Sequence, residues 1–291
     1  MRPNLVSIVI PVFNEEQAIG DDLDLIIKTM QATHYDYEII VVDDGSTDSS
    51  ADIVRQRSQV RLIQHPYNRG TGAARTTGIK QAQGDVIVMT DGDGTYPNQD
   101  IPRLLGYMDE YDMVVGARRR EAGTLRWLRS PVKHLVRLLA SYLVGMRIPD
   151  LNSGFRAFKK DLAWKYLNIF PPTHSWVSTI TIAFLSEGHT VKHIPIDYYP
   201  RKGRSTFRPI ADTYNYLSLV VRAIMYFDPL KVFLPVAVLL GTVAVAKLVR
   251  DLATYRTFYI PGDTLLIFFV AAQVFVIALL ADLIVVQHRR R

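Results

Sequence analysis

Cysteine is absent from the 291 residues. Its absence excludes disulfide scaffolds, thiolate metal centres and cysteine nucleophiles, and leaves oxygen and imidazole to hold any metal. The seven histidines recur at no zinc spacing, so His65, His134 and His174 read as structural. A leader pattern is missing too: the apolar run Leu5 to Val12 is short, contains Ser7 and reaches Pro11 without a small-residue cleavage site. It reads as a strand. Repeats and low-complexity tracts are lacking as well.

Acids are scarce in one stretch. Arg118 to Arg137 holds seven Lys or Arg against the single acid Glu121, which matches the net charge of +6 for the whole chain and leaves the remainder near neutral. A basic block of this kind attracts polyanions: nucleic acid, phospholipid head groups or a lipid phosphate. What the chain has in quantity is apolar surface, 48% of its residues, enough to bury a full core and form a smaller second part.

Val- and Ile-rich runs alternate with helical periodicity. Strands are expected at Leu5 to Val12, Tyr37 to Val42, Val60 to Gln64, Asp85 to Thr90 and Met113 to Gly116; helices at Glu15 to Gln31, Asp48 to Gln56 and Gly70 to Gln81. This alternation predicts an α/β fold with a mostly parallel, Rossmann-like sheet. Such sheets bind ligands beyond the carboxyl ends of their strands. Here those ends read Asn14-Glu15, Asp43-Asp44-Gly45-Ser46 and Asp91-Gly92-Asp93, three acidic clusters on one rim. After Ser130-Pro131, a helix start, the stripe Val132, Leu135, Val136, Leu139 and Leu143 opposite Lys133 and Arg137 describes an amphipathic helix. It fits a membrane interface or the protein's own sheet equally well.

Val232 to Ala246 and Leu265 to Ala281 are uncharged runs of 15 and 17 residues, long enough with their flanks to span a bilayer. Tyr255, Phe258 and Tyr259 lie between them, and Arg289 to Arg291 close the chain. Positive-inside logic then makes the large domain and the C-terminus cytoplasmic. Lys247 can snorkel from a span end, whereas Asp282 lies deeper, where acids tend to be paired or functional. A buried helical hairpin of a soluble protein is the alternative. The organisation expected is a catalytic domain over 1–210, a juxtamembrane or interfacial helix over 211–229, and a two-helix transmembrane domain over 230–291, with spans at about 230–249 and 264–286.

Asp91 and Asp93 follow an apolar strand, with Gly92 allowing close backbone approach. Two such carboxylates suit Mg²⁺ or Mn²⁺, whose shell is completed by substrate phosphate oxygens. The same string is also a common turn. Asp43 and Asp44 can accept hydrogen bonds from a base or ribose, while Ser46, Thr47 or Asp48 caps the next helix.

Taken in order, Ile10-Pro11-Val12-Phe13-Asn14-Glu15, Val42-Asp43-Asp44-Gly45-Ser46, Asn68-Arg69-Gly70 with Gly72, Gly84-Asp85, Asp91-Gly92-Asp93, Asn152-Ser153-Gly154-Phe155-Arg156 and Arg201-Lys202-Gly203-Arg204-Ser205 are specific. The chain resembles family 2, A-type (GT-A) glycosyltransferases of the dolichol-phosphate mannose synthase and bacterial polyprenyl-phosphate group. The likeness covers the whole length, including the paired C-terminal spans. It implies a nucleotide-sugar site at Pro11, Phe13, Glu15, Asp44 and Asp91, metal at Asp91 and Asp93, and a catalytic group of Asp93, Asp150 and Arg201. Asp150 stands where similar enzymes carry a proposed base near the acceptor, or it orients Arg156 or the sugar. Thr206 departs from the family pattern, in which lysine is frequent after the serine; Arg204 or Arg208 can compensate.

A phosphate monoester acceptor is already anionic at neutral pH and needs no general base. It needs screening of two repelling phosphate groups, for which Arg118, Arg129, Lys133, Ser153, Arg156 and Arg201 are the candidates. The expected reaction is inverting transfer of a hexose, mannose from GDP-mannose favoured and glucose from UDP-glucose also fitting, to polyprenyl or dolichyl phosphate. The expected partners are that donor, that acceptor and the lipid bilayer, in the plasma membrane, without nucleic acid and with a homo-oligomer open. Transfer to a glycan hydroxyl, a non-catalytic membrane scaffold and a basic nucleic-acid binder are the alternatives.

Overall fold

The computed structural model describes residues 5–119, 138, 141–142, 144–173, 175–201, 225–226, 228–255 and 260–289. The chain divides into two compact units, Met1–Val220 and Val221–Arg291. Most of the amphipathic stripe expected after Pro131, and most of the segment expected over 211–229, lies outside the described residues.

The first unit is built on a seven-stranded sheet. Its strands are β1 (Val6–Val12), β2 (Tyr37–Asp43), β3 (Val60–Gln64), β4 (Val86–Met89), β5 (Met113–Arg118), β6 (Arg156–Lys159) and β7 (Val191–Ile196), in the order β3-β2-β1-β4-β6-β5-β7. Helices α1 (Ile19–Gln31), α2 (Ser50–Arg55) and α3 (Thr71–Gln81) make the crossovers among the first four strands, as parallel pairing requires. Further on come α4 (Ile101–Leu105), α5 (Lys160–Trp164) and α6 (Trp176–Ser186). Every residue of β1 and β4 is buried, which explains why these strands read as continuous apolar runs.

Register decides what meets at the rim. Val6 pairs with Tyr37 and Val12 with Asp43, so β1 and β2 end together. Val9 pairs with Met89, so β4 stops three residues short of the end of β1, and Thr90 to Asp93 cross above it. There a Cβ on Gly92 would come within 2.8 Å of Ile19 Cδ1, so any side chain would have to displace the end of Ile19. β6 runs antiparallel to both β4 and β5. The segment before it therefore arrives at the carboxyl ends of its neighbours, where the amide of Gly116 donates to the Phe155 carbonyl at 2.9 Å.

Trp176, Phe155, Phe158 and Phe184 are fully buried, each worth roughly 1.5–3 kcal/mol of burial or more. Helix α3 lies unusually close to the sheet: a Cβ on Gly78 would stand 2.2 Å from Val9 Cγ1.

The second unit is a hairpin of α7 (Leu230–Tyr255) and α8 (Gly262–Arg289). Both helices are long and apolar enough to cross a membrane, with mean hydropathy 2.3 and 2.7 over their candidate spans. No more than 17% of either span is buried, whereas a soluble core helix is mostly covered. The buried positions repeat every seventh residue: Ala237, Ala244 and Asp251 on α7, and Thr264, Ala271 and Ala278 on α8. This is the spacing of an antiparallel left-handed seam in which small residues let the backbones approach. Its polar layer is closed. Lys247 Nζ lies 2.8 Å from Asp251 and 2.9 Å from Asp263, and Thr264 Oγ1 donates to Asp251 at 2.6 Å. Lys247 is thus paired inside the hairpin instead of snorkelling outward. Asp282 is half-buried on α8.

Candidate active site

The ends of β1 and β2 are laced together by polar contacts. Asn14, in the left-handed region at φ 55°, accepts from the Thr47 amide at 2.8 Å, while its own amide donates to Ser46 Oγ at 2.9 Å. The Glu15 amide donates to Ser50 Oγ at 2.8 Å. Ser46 and Thr47 therefore bind the β1 loop instead of capping α2; only Asp48 reaches that helix, accepting from the Ser50 amide at 3.0 Å.

This bracing holds Glu15 beside the loop after β4. Glu15 forms a close ion pair with Arg201, and Arg201 Nε stands 3.7 Å from Asp93 Oδ2. Asp93 is nearly buried and accepts from Thr95 Oγ1 at 2.6 Å. Asp91 accepts from Arg75 at 2.7 Å. Three carboxylates and two guanidinium groups thus share one rim. Burial pushes the Glu15 carboxyl up to about 8; Arg201 opposes the shift, and the charges of Asp93 and Asp91 reinforce it. Asp93 is raised as well, by burial and then by Asp91. Crowded, partly dry carboxylates of this kind favour a proton or a cation.

Among the described residues, no three His, Asp or Glu side chains form a ready-made metal cage. An all-oxygen set with few protein ligands fits Mg²⁺ or Mn²⁺, which retain water and take phosphate oxygens, and does not fit a structural zinc.

The other expected site residues fall into distinct places. Pro11 is buried within β1 opposite Val42, and Phe13 is half-buried just beyond its end. Asp44 is 2% exposed, and both its oxygens are engaged, by His65 Nδ1 at 2.7 Å, the Arg69 amide at 3.0 Å and the Gly70 amide at 2.7 Å. Asp44 therefore shapes the 65–70 loop, with His65 as its partner. Asp150 is held by Arg118 in a fork at 2.7 and 2.9 Å. Although burial acts against it, hydrogen bonding and charge from Arg118 leave its carboxyl below the usual range, the wrong direction for a general base. Asp150 orients Arg118, not Arg156.

Arg156 corrects a second expectation. It is fully buried and donates to the Val177 carbonyl and Thr181 Oγ1, both at 2.9 Å, and to the Ser153 carbonyl. Burial and then the neighbouring Arg75 lower its pKa to about 9, so it stays charged but has no face for an acceptor phosphate. Ser153 is buried too, and its Oγ has no partner among the described residues. Arg129 and Lys133 lie outside the described residues, as do Thr206, Arg204 and Arg208.

Three participants are not apparent from the sequence. Tyr96 accepts from the Gly154 amide at 2.7 Å and stacks on Phe155 at 5.6 Å; Tyr198 meets Tyr96 edge-on at 5.3 Å and carries Arg118 over its ring at 5.2 Å. Arg75 binds Asp91 from below. Its one local signal is its place three residues from Gly72 and three from Gly78, on the small-residue face of α3 that packs inward.

Comparison with known proteins decides the family. The profile of "Glycosyl transferase family 2" matches residues 7–167. The chain belongs to that family. A second profile, "GtrB C-terminal hairpin", matches residues 228–286. Within the family, the chain is 33% identical over 164 residues to an undecaprenyl-phosphate 4-deoxy-4-formamido-L-arabinose transferase of Proteus mirabilis, covering 55% of this chain and 50% of that one. It is 30% identical over 202 residues to the protein of the same name from Edwardsiella ictaluri, covering 68% and 61%. The chain thus spans about half the length of the first of these relatives. In fold it is similar to glucosyl-3-phosphoglycerate synthase of Mycobacterium tuberculosis, solved with Mn²⁺, UDP-glucose and phosphoglyceric acid, at 20% identity and TM-score 0.62, covering 76% of this chain and 80% of that one. A form of that synthase with Mg²⁺ and UDP matches equally, at TM-score 0.62.

Proposed function

We propose that this family 2 glycosyltransferase moves a hexose from a nucleoside diphosphate sugar to a polyprenyl phosphate with inversion, at the cytoplasmic face of the plasma membrane. The observation that carries this reading is the rim of Glu15, Asp91 and Asp93 balanced by Arg75 and Arg201. Its three carboxylates outnumber its two guanidinium groups. Support comes from the undecaprenyl-phosphate transferases among its relatives, from the Mn²⁺ and UDP-glucose of its structural neighbour and from the hairpin.

Asp91 and Asp93 would hold Mg²⁺ or Mn²⁺, which screens the diphosphate as it departs. Phe13 and the β1 and β2 loops flank the nucleotide. A phosphate oxygen of the acceptor attacks the anomeric carbon as the bond from that carbon to the diphosphate oxygen breaks. The acceptor oxygen carries its own negative charge, so no proton needs to leave it, and the pairing of Asp150 with Arg118 is compatible with the chemistry. Arg118, supported by Asp150 and Tyr198, and Arg201 supply positive charge to the acceptor phosphate.

The test is transfer of labelled sugar into organic-extractable polyprenyl phosphate by the full chain in detergent. The donor panel begins with GDP-mannose and UDP-glucose and includes a UDP-linked 4-deoxy-4-formamido-L-arabinose. EDTA-sensitive label in the lipid phase from a hexose donor supports the proposal and names the donor; label from the arabinose donor alone, a pentose, keeps the polyprenyl phosphate acceptor and overturns the hexose. Label on a glycan hydroxyl instead, or donor binding without lipid label, overturns the acceptor assignment.

A further inference from the structure

Two arginines are enclosed beneath the rim, and they are treated differently. Arg156 meets three oxygen acceptors. Arg75 is 3% exposed, yet among the described residues its side chain makes a single hydrogen bond, from Nη2 to Asp91 Oδ1 at 2.7 Å, and its buried Nε has no partner. A guanidinium carries five N–H donors, and leaving buried ones unmet opposes folding. Both arginines leave Nε unmet, but Arg75 has one acceptor where Arg156 has three.

The surroundings fix where Arg75 reaches. Close packing of α3 on β1 through Gly78 brings it under the end of β4. The indole of Trp176, itself fully buried, lies 5.9 Å below the guanidinium carbon, and its Nε1 donates to Thr76 Oγ1 at 3.1 Å. On the other side stands Gly154, where an added Cβ would be 2.8 Å from Asp91 Oδ2 and 3.3 Å from Arg75 Nη2. Asp91 is therefore gripped by one oxygen, while the other is confined against backbone that bears no side chain.

We propose that Arg75 is a positioning residue of the donor site: seated on Trp176, it locks Asp91 by Oδ1 so that Oδ2 is presented at a fixed height to the cation of the nucleoside diphosphate. The inference rests on the donor-site reading above and not on the identity of the acceptor. Asp91 and Asp93 then play unequal parts, Asp91 as the rigid ligand with a permanent counter-ion and Asp93 as the neighbour whose nearby guanidinium, Arg201, comes from a different part of the chain.

The experiment measures Mn²⁺ binding to the full chain in detergent by the electron-spin signal of free Mn²⁺, with UDP or GDP present, beside the thermal midpoint and the transfer kinetics. Arg75→Met is expected to weaken Mn²⁺ binding roughly 10–100-fold, as loss of a group that orients a metal ligand does, and to lower kcat while the KM for polyprenyl phosphate is unchanged. Arg75→Lys restores part of the affinity. Gly154→Ala, which leaves Arg75 in place but crowds Oδ2, gives a similar loss and keeps the test open if Arg75→Met does not fold. A folded Arg75→Met protein, or a Gly154→Ala protein, that binds Mn²⁺ within twofold of the parent overturns the inference. Failure of the parent chain to bind Mn²⁺ with either nucleotide overturns the donor-site reading instead.

Discussion

The raised pKa of Glu15 predicts that donor binding is coupled to proton release. A carboxyl titrating at about 8 is roughly nine-tenths protonated at pH 7. Burial is the main cause of the shift, with Asp93 and Asp91 adding to it. A divalent cation arriving beside those two carboxylates offsets both effects, so Glu15 ionises and about one proton leaves. Titration calorimetry of the full chain with Mn²⁺ and nucleoside diphosphate, in two weakly coordinating buffers of different ionisation enthalpy at the same pH, reads this directly. The enthalpies should differ by about the difference between the two buffers' ionisation enthalpies at pH 7 and by roughly a tenth of that at pH 9. Glu15→Gln should shrink the difference. The same shift has a sign for stability. Without metal the folded state holds a proton that the unfolded state has lost between pH 4.5 and about 8, so stability falls as pH rises through that window. Thermal midpoints of metal-free protein should drop from pH 6 to 9, and drop less in Glu15→Gln. Equal enthalpies in the two buffers at pH 7 would refute the electrostatic reading of the rim.

Asp93→Asn should cut transfer by about 100-fold or more while the circular dichroism spectrum and membrane insertion persist; undiminished turnover would remove Asp93 from the site. Gly92→Ala forces a Cβ within 2.8 Å of Ile19 Cδ1 and should cost about 1–3 kcal/mol by overpacking, read by chemical denaturation. In the hairpin, Lys247→Met removes the cation shared by Asp251 and Asp263 and leaves Asp251 only the more exposed Arg250 at 3.4 Å, so the thermal midpoint in detergent should fall. Adding Asp251→Leu should recover part of that loss, and a strictly additive double variant would deny the coupling.

Much of the fold was written in local pattern. β2, β3 and α3 lie within a residue of where apolar runs and helical spacing put them; β2, buried from Ile39 to Asp43, needs a long apolar run, whereas β3 is an edge strand that tolerates Arg61 and Gln64. Helix α1 begins at Ile19 and not Glu15, since the intervening residues are bound to the β2 loop, a contact across 32 to 35 positions that local pattern does not encode. The antiparallel β6 was equally illegible: four residues with Arg156 at their head do not read as the inside of a sheet. Charge misled in both directions. Arg156 sits in a motif and invites a phosphate but is a core strut, whereas Arg75 lies on a helix, where arginine normally faces water, and holds Asp91. In each case burial decided the role, and burial belongs to the tertiary structure.

The antiparallel entry of β6 also separates two lines of change. β5 leaves the sheet and β6 returns to it at the same edge, and the Arg118–Asp150 pair buckles the two ends together. The chain between Arg118 and Asp150 is therefore an excursion tethered at both ends beside neighbouring strands, and Gly154, which the donor site needs, lies outside it. The excursion's length and composition can drift without moving the register of β1, β2 or β4, on which Glu15 and the Asp91-Gly92-Asp93 loop depend. A descendant could acquire a new acceptor by rewriting that excursion alone and keep its inherited donor chemistry intact.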